Sequence, residues 1–245
     1  GSRFMGITGM FNPAALFAAP ESLSNILASQ EKAKIVTVDE EGNELGLLDD
    51  RRVELECQFN PASLKIGKSV TWKGENVARL AGQFANVTGV YCDDLLGLMK
   101  RDKYGPREFG NIRAAIRSAN PHLKLWTVVY THELEQTDFW TEMRPHIDVV
   151  TLWIWKSENI CGMPEDVDRC RRLFPDEPIV MGVYLRDYTK VAPVPVDLVK
   201  RQMEGVADLV RKDKLAGYSI LAAVLIDGHR PQADAVRDFI AASGS

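Results

Sequence analysis

From Asn76 onward the chain repeats one alternation: a short β-branched or aromatic apolar run ending in polar residues, then a longer segment with helical spacing. The runs are Thr88 to Asp94, Leu123 to Glu133, Val149 to Lys156, Ile179 to Asp187 and Tyr218 to Asp227. Between them lie Arg107 to Ser118, with apolar Phe109, Ile112, Ala115 and Ile116, then Asp138 to Arg144, Pro164 to Leu173 and Pro195 to Lys212. Pro164 and Pro195 stand where a helix starts, a place where proline forfeits no hydrogen bond. Strand then helix, repeated, implies parallel strands joined by right-handed crossovers. Five units at spacings of roughly 25 to 40 residues fit the later part of an α/β barrel of the TIM (β/α)8 kind, which takes about 250 residues. Arg3 to Met10, "RFMGITGM", reads as its first strand and Glu21 to Gln30 as the helix after it.

Residues 31 to 75 have a different texture. Ala33 to Asp39, "AKIVTVD", leads through Glu40-Glu41-Gly42-Asn43 toward Arg52 to Asn60, "RVELECQFN", which alternates charged and apolar residues with period two. Leu64 to Trp72 continues as strand. Strand, Gly-Asn turn and alternating strand are the grammar of an antiparallel hairpin, not of a β-α-β unit. The chain therefore divides into a first strand and helix over 1 to 30, a β-hairpin-rich insert or replacement segment over 31 to 75, and the remaining βα units over 76 to 245.

Composition excludes several classes. At 45% hydrophobic and 26% charged the chain is an ordinary globular one, and a net charge of −4 with no local cluster of Lys and Arg leaves no footprint for a nucleic acid. No apolar run approaches the roughly 20 residues that span a bilayer, and no signal-peptide layout opens the chain, so no membrane partner is expected and the protein reads as soluble. Gly1-Ser2 and Gly244-Ser245 read as cloning or linker residues, so both a cytoplasmic protein and a secreted one with its leader removed are compatible.

Four cysteines, at 57, 92, 161 and 170, form no C-x-x-C and indicate neither a zinc site nor a disulfide framework; most of them are expected as small core residues. The absence of G-x-G-x-x-G, G-x-x-x-x-G-K, G-x-S-x-G and H-E-x-x-H removes nucleotide-binding, serine-hydrolase and zincin readings, and no cofactor is implied. The four histidines are scattered, so a metal centre would have to draw on Asp94, Glu133 and Asp227.

Two resemblances follow from particular motifs. "VELECQFNPASLKIGKSVTWKGE", in which one strand ends in Gln-Phe-Asn-Pro and the next carries a Ser-Val-x-Trp ending, resembles the N-terminal part of tube or tail-associated proteins of contractile injection systems and phages. Residues 76 to 242 resemble a family of bacterial TIM-barrel proteins of glycoside-hydrolase type, on "TGVYCDDL", "LKLWTVVYTHEL", "VTLWIWKSENI", "PIVMGVYLRDY" and "DLVKRQMEGV". Together they describe a composite chain. The larger resemblance implies a barrel whose ligand is a carbohydrate.

In such barrels the active site gathers at the C-terminal ends of the strands. Alternation puts Val90, Cys92 and Asp94 on one face of their strand and Tyr91 and Asp93 on the other, so one aspartate is expected to face the barrel mouth and the other to cap the next helix. Capping by both is the alternative. Glu133 ends the following unit in phase with Thr127, Val129 and Thr131. A carboxylate from each of two neighbouring strand ends is what glycoside hydrolysis uses, which makes Asp94 and Glu133 the expected catalytic pair. His132 beside Glu133 is a candidate to orient it, or simply a hydrogen-bonded strand-end histidine.

Trp153 and Trp155 alternate with Leu152 and Ile154; the aliphatic face is expected to pack on the outer helices, leaving Trp153 to the core and Trp155 at the rim as a sugar platform. Lys156 and Glu158 follow as candidate contacts to hydroxyls. Tyr184 extends the platform, and Arg186 is expected to pair with a catalytic carboxylate or bind an anionic substituent, with Asp187 pairing or capping nearby. Asp227 ends the last strand, just before Gly228-His229. Asp93, Trp155, Tyr184, Arg186 and Asp227 are thus the expected substrate contacts. The competing reading is a non-catalytic structural or carbohydrate-binding component of a phage-tail-like assembly, with residues 31 to 75 pairing through exposed strand edges. Oligomeric state is left open.

Overall fold

The structure, a computed structural model, describes residues 4–8, 36–38, 44–47, 53–56, 87–221 and 228–243. The chain divides into two units. One comprises Gly1–Met10, Val129–Thr141 and Val149–Ser245; the other comprises Phe11–Val128 and Glu142–Asp148.

In the second of these, β2 (Val36–Val38) and β3 (Glu44–Leu47) form an antiparallel hairpin. β4 (Val53–Glu56) runs parallel to β5 (Val87–Cys92), and β5 runs parallel to β6 (Lys124–Tyr130), with Gly89 opposite Lys124 and Cys92 opposite Thr127. The expected hairpin exists, but its second strand is Glu44–Leu47. The alternating stretch around Val53 instead supplies a strand that pairs in parallel with β5. A short turn pairs its own flanks, and the next strand is then available to another neighbour. The expected strand over 64 to 72 and helix over 21 to 30 lie outside the described residues.

α1 (Leu95–Asp102) and α2 (Pro106–Ala119) follow β5. Pro106 sits in the first turn of α2, and the Glu108 carboxylate accepts the Gly105 N–H at 2.9 Å, closing the helix start. Phe109, Ile112 and Ile116 are buried, as their spacing requires. The outer side of α2 is pinned by Asp148, whose Oδ1 takes Arg113 at 2.6 Å and Arg117 at 3.3 Å while its Oδ2 accepts the Leu125 N–H at 2.9 Å.

In the first unit, β1 (Phe4–Thr8) pairs in parallel with β11 (Gly217–Leu221), β11 with β8 (Ile179–Val183), and β8 with β7 (Val149–Trp153). α4 (Met163–Leu173) connects β7 to β8 and α5 (Val196–Arg211) connects β8 to β11; α3 (Thr137–Met143) precedes β7 and α6 (Arg230–Ser243) follows β11. β7 and β8 are buried along their whole length, the mark of parallel strands covered on both faces. Val199, Met203, Val206 and Leu209 form the buried face of α5. Cys92 and Cys170 are core residues as expected, and burial pushes the Cys170 thiol up to about 12; Cys161 is exposed.

The fold is α/β, a curled parallel sheet of partial (β/α)8-barrel type. No described helix is long and apolar enough to cross a membrane.

The strands stop earlier than their apolar runs suggest. β5 ends at Cys92, β6 at Tyr130, β7 at Trp153 and β8 at Val183. Thr131–Glu133 is a 3-10 turn, and Arg186–Asp187 is a separate two-residue strand, β9, antiparallel to β10 (Ala192–Pro193). Period-two phase therefore fails for Asp94, Glu133, Arg186 and Asp187. Each of these side chains is placed by the turn it belongs to.

Candidate functional site

Within the first unit, which takes in the last two residues of β6, four strands deliver aromatic rings at or just beyond their C-terminal ends. Tyr130 is the last residue of β6, Trp155 lies two residues beyond β7, Tyr184 follows β8 directly, and Tyr188 follows β9. Half-buried Trp155 is the hub. It stacks on Tyr188 with ring centroids 5.8 Å apart at 19°, and meets Tyr130 edge-on at 5.3 Å and Tyr184 edge-on at 6.2 Å. Tyr184 and Tyr188 touch at 5.4 Å, and His132 stacks on Tyr130 at 5.5 Å. Such mixed face and edge contacts hold each ring against the next.

The bed rests on Trp153, fully buried and 4.8 Å from Tyr184. Trp153 faces Gly182 across the β7–β8 pair, and a Cβ on Gly182 would lie 1.9 to 2.3 Å from three atoms of its indole. Only glycine leaves room for that ring. The Trp153 indole N–H is buried and has no hydrogen-bond partner among the described residues. Burial, and then the nearby Lys156 charge, hold the His132 pKa below its ordinary value, so this ring is neutral at pH 7.

The carboxylates fall into two kinds. Glu133 is buried; its Oε2 accepts the N–H of Tyr130 at 3.0 Å and its backbone carbonyl accepts the Trp140 indole N–H at 3.0 Å. It closes the 3-10 turn that ends β6. Asp187, 2% exposed, is held by Ser157, Thr189 and the backbone of Lys190. Burial acts to raise its pKa, but the hydrogen bonds from Ser157, Thr189 and Lys190 outweigh it and keep the group far below the usual carboxylate range.

In the second unit, Asp94 is exposed and occupies the N-terminal cap of α1 in the left-handed region, φ 48° and ψ 34°, with no capping hydrogen bond from its side chain. Asp93 spends its Oδ1 on the N–H of Asp94, 2.9 Å away. The expected capping of α1 by an aspartate side chain is thus corrected: Asp93 holds the turn into the helix instead.

Arg186 donates to the Val191 carbonyl at 3.2 Å, so its recorded partner is a hairpin carbonyl where a catalytic carboxylate was expected. Lys190 pairs with Glu158 at 2.8 Å. Asp227 lies outside the described residues. His229 is buried, its Nδ1 2.8 Å from the Gly228 carbonyl and its Nε2 without a partner. Among the described residues no group of three or more His, Cys, Asp or Glu is placed to hold a metal ion.

Trp155 and Tyr184, expected as a platform, lie in ring contact with each other. Tyr130, Tyr188 and the clustering of His132 with them were not expected. The signal was available: each aromatic falls within a few residues of a strand end, where several strands converge on one side of the sheet.

Two solved structures share this fold over most of the chain. The catalytic core of xylanase A superposes with a TM-score of 0.54 at 12% identity, covering 90% of this chain and 86% of that one. A family 18 chitinase from Crocus vernus gives 0.53 at 13% identity, covering 96% and 82%. The glycoside hydrolase domain of PgaB (BpsB) from Bordetella bronchiseptica, at 14% identity and a TM-score of 0.47, covers 74% of this chain, which spans 62% of that domain. At these identities the likeness is one of fold. No protein-family model and no curated protein matches the chain.

Proposed function

We propose that this protein binds carbohydrate on the aromatic bed and cleaves a glycosidic bond with a pair of carboxylates. The observation that carries the reading is the bed itself: Tyr130, Tyr184 and Tyr188, each in ring contact with half-buried Trp155 at its centre. Sugar rings stack on indole and phenol faces through their C–H bonds, and rings fixed in advance lose little entropy on binding. The likeness in fold to a xylanase core and a chitinase supports the same class of ligand.

Glu133 and Asp94 are the proposed carboxylates. Glycoside hydrolysis takes one as general acid and the other as nucleophile or base. Glu133 lies three residues beyond Tyr130, so it is tied through the chain to a ring of the bed. Asp94 is exposed to solvent at a strand end. Asp93, Arg186 and Asp227 complete the proposed substrate contacts.

A second reading, carbohydrate binding without turnover, is favoured by one detail: an oxygen of Glu133 is already engaged by the N–H of Tyr130. In that case the protein serves as a binding component, including of a tail-like assembly as the resemblance of residues 31 to 75 implies.

A thermal-shift screen of mono- and oligosaccharides on the wild type and on the Asp94→Asn, Glu133→Gln and Trp155→Ala variants, followed by product analysis, separates these outcomes. The expected result is one saccharide class that raises the melting temperature of all but Trp155→Ala, with cleavage by the wild type alone. Binding without cleavage moves the reading to the second form. A cooperative melt that no saccharide shifts rejects both.

A further inference from the structure

The aromatic bed depends on a stacked pair whose members sit on different segments. Trp155 lies between β7 and the 3-10 turn Ser157–Gly162, and Tyr188 lies in the turn joining β9 to β10. Sequence separates them by 33 residues, and nothing in either segment's local geometry brings the rings together. One buried side chain spans the gap. Asp187 Oδ2 accepts the Ser157 N–H at 3.2 Å and the Ser157 hydroxyl at 2.5 Å. Asp187 Oδ1 accepts the Thr189 N–H at 2.9 Å, the Thr189 hydroxyl at 2.6 Å and the Lys190 N–H at 3.0 Å.

Both anchor points lie next to the rings. Ser157 is two residues from Trp155, and Thr189 follows Tyr188 directly. Lys190 reinforces the same junction from outside: its ammonium is 3.5 Å from the Ser157 hydroxyl, 3.6 Å from Asp187 Oδ2 and 2.8 Å from Glu158. The turn also carries strain. Val191, 70% exposed, has φ 54°, a conformation that a β-branched residue adopts only when its surroundings impose it. The Arg186 guanidinium on the Val191 carbonyl and Asp187 on Thr189 and Lys190 are the bonds that impose it.

We propose that Asp187 is the positioning residue of the aromatic bed: its carboxylate clasps the segment bearing Trp155 to the turn bearing Tyr188 and fixes the stacked pair in the geometry a sugar ring meets. The clasp deepens the carbohydrate reading and, as far as ligand binding is concerned, rests on it. Asp187 itself touches no ligand, because both its oxygens are already surrounded by donors. An amide at this position keeps the shape but turns two N–H groups toward those donors, so one side of the clasp opens whichever way the amide lies.

The test uses the full chain and two readouts. The first needs no ligand: the near-ultraviolet circular dichroism of Trp155, isolated as the difference between each protein and its own Trp155→Phe partner. In the wild type this difference carries the coupling of Trp155 with Tyr188. Asp187→Asn is expected to reduce it severalfold with the far-ultraviolet spectrum unchanged, and an unchanged difference overturns the clasp. Thr189 is exposed, so Thr189→Val and Thr189→Ser both leave the core untouched. Thr189→Val, which loses the hydroxyl, is expected to reduce the signal, and Thr189→Ser, which keeps it, to restore it; equal signals in these two overturn the clasp even if Asp187→Asn fails to fold.

The second readout is affinity for the saccharide that binds the wild type. It is expected to weaken about tenfold in Thr189→Val and to recover in Thr189→Ser, the scale of one misplaced aromatic contact. Should the wild type bind no saccharide, the carbohydrate reading fails, while the dichroism still decides the clasp.

Discussion

At the C-terminal end of β5 the chain places two aspartates on an open turn, one exposed and in the left-handed region, the other holding its neighbour's N–H. Just beyond β6 and within β9 the acidic residues Glu133 and Asp187 are buried and bonded to backbone N–H groups. The difference teaches how to weigh polar strand ends. A buried carboxylate that satisfies backbone donors is first of all a fastener, and removing it leaves those donors without acceptors. An exposed carboxylate on a turn contributes little to stability.

The largest effect expected from this contrast lies beneath the rings. Gly182→Ala would drive a methyl into the Trp153 indole, and a buried ring in a packed layer cannot move aside cheaply. The expected cost is about 3 kcal/mol, read as a lower midpoint of denaturant unfolding. A cost near zero would mean that the bed has no rigid floor.

Next come the two carboxylates themselves. Glu133→Ala leaves the N–H of Tyr130 buried without its acceptor and is expected to cost about 2 kcal/mol. Asp94→Ala is expected to stay within about 0.5 kcal/mol of the wild type, as ordinary surface substitutions do. Equal losses in the two variants would erase the distinction between fastener and exposed group.

A pH titration sharpens the same point at Asp187. Its carboxyl binds a proton less readily in the folded protein than in the unfolded chain, where an aspartate titrates near about 3.9. The clasp therefore contributes its full stabilisation above that value and loses it progressively as pH falls toward the depressed folded pKa. Asp187→Asn is expected to flatten the stability curve between about pH 5 and pH 2 relative to the wild type, as urea melts at each pH would record. Parallel curves would remove the depressed carboxyl from the account.

The smallest expected effect is at Asp94→Gly. Glycine adopts a left-handed conformation without the penalty of a side chain, so the variant is expected to gain about 0.5 kcal/mol in thermal or urea unfolding. The same substitution removes a proposed catalytic carboxylate. Gained stability with lost turnover is the signature the comparison predicts.

Much of this architecture was legible in the residues, because periodicity survives wherever burial is two-sided. β7 and β8 are buried at every position, and α2 buries Phe109, Ile112 and Ile116 where their spacing placed them. Legibility fails at the strand ends, where alternation gives way to turns closed by side chains. Glu133 curls back on Tyr130, and Asp187 reaches Ser157 across 30 residues, a pairing that no local pattern encodes. The alternating stretch at Val53 was misplaced for a related reason: its period two is compatible with antiparallel and parallel partners alike, and only the chain's tertiary course selects β5. Trp155 and Tyr184 stood out by residue type, whereas Tyr188 became visible only through its stack on Trp155.

The central claim is that the rings at the ends of β6, β7 and β8 form a carbohydrate bed. The most direct test is calorimetric titration of wild type and Trp155→Ala with a panel of oligosaccharides, under matched buffer and with folding checked by far-ultraviolet dichroism. Saturable binding by the wild type, abolished in Trp155→Ala at unchanged fold, is the predicted result. Binding that Trp155→Ala retains in full would place the ligand elsewhere and contradict the account.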